Sequence, residues 1–530
     1  MPMEPPVFGH AAVATPHHPA SETGQRILIQ GGNAIEAMIA MAATIAVTYP
    51  HMNGMGGDGF WLVADKSRRV RAIQACGPAG SRATISALRD LGYDEVPSRG
   101  VLSSLTVPGA IAGWQIAAEM ARAFGGRLPV ALLLEDAIRH ARDGITVSAS
   151  QARVEAAEID ELKAVPGFAA HFMPSGEALK AGDRLLQPAL AGLLEQLAHA
   201  GLDDFYRGDA AREIAADLDR AGALVTREDF RRYEARLREP LSLALPGVTL
   251  SSLPPPTQGL STLIILGLAE RLGLKRAGGF EHLHGLIEAA KRASAIADRE
   301  IADPASMSAD PGAFLIPAFL EREAAAISMA RAAPSSPQGA KGDTVWMGAI
   351  DKEGLAVSYI QSIYWDYGSG LVLPKTGLLM QNRGLAFSLD ARSPRALAPG
   401  RLPFHTLAPA MALFADGRVM PFGTMGGDAQ PQILAQLFSR YRLGEDLATA
   451  VDAPRFVLAR DGKTRKSVLQ LEDRFDESLL NALDRAGHPI DIGQPYADNF
   501  GHAGALVRHI RDGRIEAVHD PRADGGALGL

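Results

Sequence analysis

The chain has 530 residues and a formal net charge of -7, with 47% apolar and 21% charged residues. A chain of this length can build one large α/β core, and its mild acidity argues against a nucleic-acid partner, which usually needs a basic face. It contains a single cysteine, Cys76, so no intramolecular disulfide can form, and a lone cysteine is typical of a small core residue.

The N-terminal part of the chain predicts a protein outside the membrane. Residues 1–24 lack the basic n-region and the apolar h-region of a recognisable signal peptide. The longest apolar run, Ala37–Val47, is too short to span a bilayer, and its alanines predict a buried core helix. We therefore expect a soluble, cytoplasmic protein without a membrane partner.

The first predicted elements surround a glycine-rich loop. Residues 25–32 predict a short strand or helix that ends in a glycine turn, and Asn33 is a plausible N-cap for the helix that follows and ends before Tyr49. Glycines at positions 54, 56, 57 and 59 then lead into two apolar runs separated by a turn, the pattern of a loop that feeds a β-hairpin. Asp58 in this loop is interpreted as a turn former.

The middle of the chain is predicted to be mainly helical. A strand candidate begins at Val101, residues 150–240 are mostly helical, and Leu241–Leu253 alternates as a strand would before three prolines break it. The remaining apolar periodicity predicts helices around Ala112–Phe124, Val130–Arg142, Leu260–Leu272 and Phe280–Ile301.

A linker precedes a change of pattern towards the C-terminus. Arg331–Gly342 combines Pro, Ser, Gly and Ala without an apolar period, which is typical of a loop. Short apolar runs follow it and predict strands at Thr344–Ile350, Leu355–Ile363, Leu371–Leu373, Leu378–Met380, Ala410–Phe414 and Val419–Phe422. Helices, a linker and then many strands fit a sandwich of two sheets covered by helices.

Six blocks of the sequence, in order between about residue 31 and residue 435, resemble the γ-glutamyltransferase family of N-terminal-nucleophile hydrolases. The blocks are GGNAIEAMIAMAATIAV with NGMGGDGFWLV, VPGAIAGW, LLEDAIRHARDGITV, SLPPPTQG, DTVWMGAIDKEGLAVSYIQSI with YGSGLVLPKTGLLMQN, and TMGGDAQPQ. The resemblance implies an α/β (α+β) fold, a four-layer αββα sandwich. It also implies a precursor cut between Asp343 and Thr344, so that residues 1–343 and 344–530 are large and small subunits of one domain, and an acyl-enzyme mechanism.

The resemblance makes Thr344 the nucleophile. A threonine hydroxyl needs a base within hydrogen-bond reach, and the cut would give Thr344 an α-amino group with a reference pKa of about 8. That amine can accept the hydroxyl proton near neutral pH and later return it to the leaving group. The residues alone leave an alternative open, in which Thr344 is an ordinary strand residue after a loop.

Three further residues occupy positions of the family's catalytic machinery. Gly426 and Gly427 match a glycine pair whose backbone N–H groups stabilise the oxyanion of the tetrahedral intermediate, and the alternative is a simple β-turn. Ser362 lies 18 residues after Thr344, where the family has a threonine that bonds to the nucleophile, and serine keeps that hydroxyl. The alternative for Ser362 is a solvated strand serine.

Two charges with which the family's transferases hold glutamate are missing. The arginine that grips the α-carboxylate falls near Gln74, and the aspartate that grips the α-amino group falls at Ala386. Four other polar or aromatic residues stand near these positions instead: Arg383, Tyr364, His405 and Thr406.

This replacement set suits a small acid that lacks an α-amine. Arg383 can make a bidentate bond to a carboxylate, and His405 can donate to it or tune the pocket. The set contains no partner for an ammonium group. The alternatives are a surface salt-bridge arginine and a satisfied core histidine.

The pattern resembles the family's amidohydrolase branch, which includes oxamate amidohydrolases and glutaryl-type acylases. We therefore predict an enzyme that hydrolyses a small, carboxylate-bearing, oxamate-like amide through an acyl-enzyme, with water as acceptor. The alternatives are a γ-glutamyl transferase or hydrolase with a redesigned glutamate site, a glutaryl-type acylase, and an uncut, non-catalytic family member that acts as a binding protein.

No cofactor is predicted for this chemistry. The histidines of HPASE, PHH and HLHG lack metal-ligand spacing, so neither a metal nor an organic cofactor is expected. The expected partners are the small-molecule amide substrate and the two subunits of one precursor, assembled as a dimer of heterodimers.

Overall fold

The computed structural model describes residues 6–334, 342–460 and 467–530. The predicted linker, Arg331–Gly342, falls largely at residues 335–341, which lie outside the described residues. In chain order the described strands are β1 (Val7–Phe8), β2 (Ala12–Thr15), β3 (Asp58–Ala64), β4 (Val70–Ala75), β5 (Ile145–Thr146), β6 (Arg184–Leu185), β7 (Arg236–Arg238), β8 (Leu241–Leu245), β9 (Val248–Ser252), β10 (Asp343–Ile350), β11 (Ala356–Tyr364), β12 (Val372–Leu373), β13 (Leu378–Leu379), β14 (Ala410–Phe414), β15 (Val419–Thr424), β16 (Phe456–Arg460), β17 (Ser467–Glu472), β18 (Ile490–Gly493), β19 (Ala503–Arg508), β20 (Ile515–Val518) and β21 (Gly526–Gly529).

Helices occupy much of the rest of the chain. In the same ranges they are α1 (His18–Ile29), α2 (Ala34–Thr48), α3 (Ile85–Asp90), α4 (Ala110–Ala123), α5 (Val130–Asp143), α6 (Ala149–Leu162), α7 (Phe168–Phe172), α8 (Pro188–Ala200), α9 (Asp204–Arg207), α10 (Asp209–Ala221), α11 (Arg227–Arg232), α12 (Gly259–Arg271), α13 (Phe280–Glu300), α14 (Pro317–Ala325), α15 (Gln430–Arg442), α16 (Leu447–Asp452) and α17 (Glu477–Arg485). None of the helices in the described part of the chain has the length and apolar character needed to cross a membrane.

Most of the strands belong to two seven-stranded antiparallel sheets. The first sheet has the order β21-β2-β10-β11-β3-β4-β7, and the second has the order β1-β20-β19-β15-β14-β9-β8. Strands from before and after residue 343 are neighbours in both sheets, as β2 and β10 are in the first and β9 and β14 are in the second. The two sides of the predicted cut therefore share one interleaved fold.

The two sheets pack face to face, and helices cover their outer faces. The core between the sheets includes Phe60, Trp346 and Leu506. Helices α1, α2, α4 and α5 form the layer over the first sheet, whereas α12, α13 and α15 form the layer over the second. This order of layers confirms the predicted four-layer αββα sandwich.

Helix α2 lies in the middle of its layer, and all of its residues are buried. Its start is fixed by a capping box: the Asn33 side chain accepts from the backbone N–H groups of Ile35 and Glu36, and the Glu36 carboxylate accepts from the Asn33 N–H. Both the Asn33 cap and the buried core helix predicted over Ala37–Val47 are confirmed.

Two predicted strands are wrong in detail, although the predicted helices and the strands after the linker are confirmed with small shifts of their bounds. Leu241–Leu253 is the hairpin of β8 and β9, because Gly247 adopts a φ of 77° and reverses the chain. The segment at Val101 forms a 3-10 turn, Val101–Ser103. The Ser103 hydroxyl closes that turn by donating to the Gly100 carbonyl at 2.7 Å.

Candidate active site

The predicted site residues gather at one end of the first sheet. There Asp343, at the start of β10, pairs with Tyr364 at the end of β11, and Ser362 pairs with Asp58 at the start of β3. Cys76 follows the last residue of β4 at the same end of the sheet. Antiparallel pairing puts the first residues of one strand beside the last residues of the next, so residues far apart in the sequence meet here.

Thr344 is buried at this end of the sheet, with 1% of its surface exposed. The register between β10 and β11 shifts between Asp343 and Val345, so Thr344 lies at a strand irregularity. The preceding Gly342 lies against the glycine pair, since a Cβ atom on Gly342 would be 2.6 Å from the Cα of Gly427. Gly342, which immediately precedes Asp343, therefore lies close to Gly427.

Ser362 contacts the bond that is predicted to be cut. Its hydroxyl donates to the backbone carbonyl of Asp343 at 2.7 Å and accepts from the backbone N–H of Tyr364 at 2.8 Å. Ser362 is fully buried, so the interpretation as a solvated strand serine is wrong. A donor on this carbonyl stabilises negative charge that develops there during attack.

A pair of carboxyl groups lies beside the same bond. The side chain and backbone N–H of Asp366 hydrogen-bond to the carboxyl group of Asp343. Burial raises the pKa of Asp343, and burial together with the neighbouring Asp343 and Glu158 raises the pKa of Asp366 well above its usual range. The raised pKa values favour a proton shared by this pair beside the bond between Asp343 and Thr344.

The glycine pair lies at the N-terminal end of α15. Gly426 has a φ of 130° and Gly427 a φ of 53°, conformations that favour glycine. A Cβ atom on Gly426 would also lie 2.9 Å from the Cδ1 of Ile433. Backbone N–H groups at the positive end of a helix stabilise an anion, so the location is suitable for an oxyanion.

Gln258 links the glycine pair to another block of the sequence. Its side-chain amide donates to the backbone carbonyls of Thr406 at 2.6 Å and of Gly427 at 2.8 Å. Its backbone N–H donates to the carbonyl of His405 at 2.9 Å. Through these bonds the proline-rich block that contains Gln258 fixes the position of both functional segments.

Arg383 is buried completely, with none of its surface exposed. Its guanidinium stacks on the ring of Tyr364, 4.0 Å from the ring centroid, and its Nη1 lies 3.5 Å from the hydroxyl oxygen of Thr406. Its Nε and Nη2 atoms have no hydrogen-bond partner among the described residues. The interpretation as a surface salt-bridge arginine is therefore wrong, and the free donors are aimed at the interior.

His405 and Asp58 face each other next to Arg383. The Nε2 of His405 lies 3.4 Å from the Oδ2 of Asp58, and neither ring nitrogen of His405 has a hydrogen-bond partner within the described ranges. Burial, followed by the charge of Arg383, lowers the pKa of His405 well below its usual range, so the imidazole is neutral. Burial raises the pKa of Asp58 to about 7, against the opposing effect of Arg383.

The positions where the family's glutamate-binding charges are missing also lie in this region. Ala386 ends the 3-10 turn that begins with Arg383. Gln74 is buried in β4, and together with Cys76 it lines a cleft of about 590 Å³. Burial raises the pKa of the Cys76 thiol well above its usual range, which agrees with the prediction of a core cysteine.

Sequence reasoning missed three residues of this site: Asp58, Gln258 and Asp366. The signal for Asp58 is an acidic side chain at the first position of a fully buried strand. Burial of a carboxylate is costly unless the group is paired or hydrogen-bonded, so its presence indicates a specific role. The signal for Gln258 is a buried amide at the start of α12. Asp366 shows no local signal, since its partner Asp343 is distant in the sequence.

A buried cluster in the second helical layer brings His284, Glu288 and His488 together, with possible ligand atoms within 4.8 Å of one another. These side chains already form hydrogen bonds within the protein: the two imidazoles bond to each other at 2.9 Å, and Glu288 accepts from Lys291 at 2.7 Å. Glu288 also accepts from the backbone N–H of Ala333 at 3.0 Å. The cluster thus holds the chain segment that leads to residue 334.

Comparisons with known proteins agree with this arrangement. A family model described as Gamma-glutamyltranspeptidase matches residues 20–530. The oxamate amidohydrolase proenzyme of Klebsiella pneumoniae subsp. pneumoniae is 47% identical over 525 residues, covering 99% of each chain. The glutathione hydrolase-like YwrD proenzyme of Bacillus subtilis is 34% identical over 523 residues, covering 98% of each chain.

A solved structure extends the comparison to the fold. The cephalosporin acylase of Bacillus halodurans superposes with a TM-score of 0.92 at 32% identity, covering 100% of this chain and 97% of its own. The names of these relatives describe an amidohydrolase, a glutathione hydrolase-like protein and an acylase. The chain therefore belongs to the gamma-glutamyltranspeptidase family and is an amide hydrolase.

Proposed function

We propose that this protein cuts itself before Thr344 and then hydrolyses a small amide that carries a carboxylate, such as oxamate. The observation that carries the proposal is the buried Arg383 guanidinium with two unpartnered nitrogens, stacked on Tyr364. Tyr364 is the strand partner of Asp343, which supports an anion site near Thr344.

The self-cleavage uses the groups around the Asp343 carbonyl. The Thr344 hydroxyl attacks that carbonyl, and the peptide bond becomes an ester while the Thr344 nitrogen takes up a proton and becomes an amine. Water then hydrolyses the ester and leaves Asp343 as a new carboxyl terminus. Ser362 donates to the attacked carbonyl at 2.7 Å, and the carboxyl pair of Asp343 and Asp366 supplies a buried proton beside the departing nitrogen.

Turnover repeats the same acyl chemistry on the substrate. The Thr344 amine accepts the hydroxyl proton, the oxygen forms an ester with the acyl group, and the proton leaves with ammonia. Water hydrolyses the ester, so that oxamate and water give oxalate and ammonium. The glycine pair stabilises the oxyanion, and Arg383 with Thr406 binds the carboxylate that does not react.

γ-Glutamyl amides are the second candidate substrates, because Asp58 places a carboxyl group beside Arg383. An ionised Asp58 would provide a partner for the α-ammonium group of such a substrate. The position where the family has an aspartate for this purpose is Ala386 in this chain. The relative from Bacillus subtilis, named as glutathione hydrolase-like, supports keeping this candidate.

A substrate panel separates the candidates. The purified enzyme is given oxamate, oxamide, a γ-glutamyl anilide and a glutaryl amide, and release of ammonia or amine is measured. We expect rapid hydrolysis of oxamate and slow hydrolysis of oxamide, which has the same size but lacks the carboxylate that Arg383 binds. Fast anilide turnover with inert oxamate would contradict the proposal in favour of the γ-glutamyl activity.

Both pieces are expected to remain together after the cut, because strands from each are neighbours in both sheets. They should coelute on gel filtration and separate only in denaturant. The pairing of two such heterodimers stays a prediction, which the mass from light scattering tests. The non-catalytic alternative predicts a single full-length band of 56.0 kDa on a denaturing gel of aged protein.

Replacing Ser362 by alanine is expected to slow self-cleavage by about 10- to 100-fold, because a lost hydrogen bond to a developing charge is worth about 1.5–3 kcal/mol. Ser362→Thr restores the hydroxyl and most of the rate. The measurement is the time course of cutting on a denaturing gel.

Ser358→Ala is the matched control for this variant. Ser358 lies on the same strand and is equally buried, but its hydroxyl donates to Phe422 and accepts from Trp346 between the sheets. Equal slowing by both alanine variants would assign Ser362 a packing role only.

Gly426→Ala is expected to reduce both cutting and turnover by about 10²- to 10³-fold, the usual effect of losing an oxyanion donor. The φ of 130° and the contact with Ile433 both require the backbone to move. Gly444→Ala, at a φ of 100° with open space around it, imposes similar backbone strain outside the site and should leave the activity unchanged. Loss of activity in both variants would indicate general destabilisation.

A further inference from the structure

Five buried polar atoms, which belong to three neighbouring side chains, have no hydrogen-bond partners in the described part of the chain. They are the Oδ2 of Asp58, both ring nitrogens of His405, and the Nε and Nη2 of Arg383. All three side chains are completely buried. Unpartnered buried polar atoms are rare, because each has lost its water without compensation. Three such side chains together point to a bound ligand that satisfies them.

The charge of Asp58 conflicts with a carboxylate ligand. An ionised Asp58 would compete for Arg383 and repel the ligand. Its Oδ1 already accepts from the backbone N–H groups of Gly109 at 3.0 Å and Gly77 at 3.3 Å. Oδ2 is the atom left to carry a proton and to donate.

Arg383 is the charged group that faces Asp58 within the described residues. The uncharged groups near Asp58 come from several parts of the chain: His405, Cys76, Gln381, Tyr206, Tyr233 and Tyr359. Burial raises the pKa of the thiol and of the three phenols, and it lowers the pKa of the imidazole, so all of them are neutral near pH 7. The ionisation of Asp58 thus depends on two opposing effects: burial favours the neutral acid, and the charge of Arg383 favours the carboxylate.

We propose that Asp58 is a specificity-determining residue that takes up one proton from solvent when a substrate carboxylate binds Arg383. The proton resides on Oδ2, which then donates to that carboxylate. This inference rests on the proposed function, and it names a residue and a proton that the proposed function does not require. The physical reason is that a bound carboxylate cancels the attraction of Arg383 and adds a second negative charge beside Asp58.

The sign of the pH dependence follows from this linkage. In the free enzyme burial raises the pKa of Asp58 to about 7. Below that pH Asp58 is already protonated, so carboxylate binding is independent of pH. Above it each molecule bound must bring a proton, so the affinity falls about tenfold for each pH unit. A neutral Asp58 also offers no charge to an α-ammonium group, which disfavours γ-glutamyl substrates.

The test compares the cut wild-type enzyme with Asp58→Asn. KM for oxamate is measured from about pH 5.5 to 9, and the protons exchanged on binding oxalate at pH 8 are counted by calorimetry in buffers of different ionisation enthalpy. Asparagine keeps an acceptor for Gly77 and Gly109, and it donates through its amide in place of Oδ2–H. We expect the wild-type KM to rise about tenfold per unit above pH 7, and the asparagine variant to lose this rise and the linked proton.

Asp351→Asn is the matched control. Asp351 is also a buried carboxyl group that accepts from backbone N–H groups, those of Ala34 and Leu355, and burial also raises its pKa. It lies at the turn of the β10–β11 hairpin, at the opposite end of the strands from Thr344. Its substitution should leave the dependence of KM for oxamate on pH unchanged. The Thr344 amine titrates in every variant, so the readout is the difference between profiles.

Two results would overturn the inference. One is an Asp58→Asn enzyme whose KM for oxamate rises with pH as steeply as that of the wild type. The other is oxalate binding to the wild-type enzyme without proton uptake, a result that does not depend on the folding of any variant. Oxamate hydrolysis with a pH-independent KM would remove this inference and leave the proposed function intact. Inert oxamate together with absent oxalate binding would remove both.

Discussion

The Thr344→Ala protein is expected to remain a single chain of 56.0 kDa and to show no measurable amide hydrolysis. One hydroxyl serves as nucleophile for both reactions, and without the cut no α-amine is formed to act as the base. Loss of a nucleophile of this kind costs about 10⁴- to 10⁶-fold in kcat. A denaturing gel reports the cut, and ammonia release from oxamate reports the turnover.

Thr344→Ser is the control for this prediction, because serine keeps the hydroxyl and lacks only the methyl group. It should still be cut, more slowly, and should retain part of the activity. The alanine change removes few contacts from a buried strand, so the thermal midpoint of uncut Thr344→Ala should stay close to that of an uncut wild-type sample. An alanine variant that is cut or active would show that another residue is the nucleophile.

Arg383→Met is expected to reduce kcat/KM for oxamate by about 10²- to 10³-fold, since removing one partner of a buried charged pair costs about 2–5 kcal/mol. Methionine fills much of the same space but cannot bind the carboxylate. Hydrolysis of oxamide, which has no carboxylate, should fall much less. The preference of the enzyme for oxamate over oxamide should therefore decrease or reverse. Self-cleavage should continue, because the bond is contacted by Ser362 and not by Arg383.

Arg440→Met is the matched control for the arginine variant. Arg440 is also largely buried, but its guanidinium is paired with Glu445 at 2.9 Å in α15 and the turn that follows it. Its replacement should leave the ratio of oxamate to oxamide turnover unchanged. Equal loss on both substrates in Arg383→Met would mean that the guanidinium supports the fold and does not select the substrate.

The fold could be predicted well where the local pattern and the tertiary environment agree. Helix α2 is an example, since Asn33 with Glu36 forms the cap and the apolar run Ala37–Val47 fills the core. The hairpin at residues 241–252 was predicted as one strand, because the alternating pattern continues through the turn and only Gly247 marks the reversal. The αββα order of layers came from the family resemblance, since periodicity does not determine how layers stack.

The site could be predicted only where the family supplies a position to compare. Thr344, Ser362 and the glycine pair were predicted in this way, and the structure brings them together near one end of the first sheet. Arg383 was predicted to bind a substrate carboxylate, and the structure adds its burial and its unpartnered donors. The proximity of Asp58 and His405 could not be predicted, because β3 and the segment before β14 meet only in the folded protein.

The most direct test of the central claim is the N-terminal sequence of the small piece from freshly purified enzyme, read together with its mass and the activity of the sample. Self-cleavage before Thr344 should give bands of about 36 and 20 kDa, in proportion to the residues on each side of the cut. The small piece should begin Thr344-Val345-Trp346, and oxamate hydrolysis should rise in step with its appearance. A fully active uncut chain, or an active enzyme whose small piece begins at another residue, would rule out Thr344 as the N-terminal nucleophile.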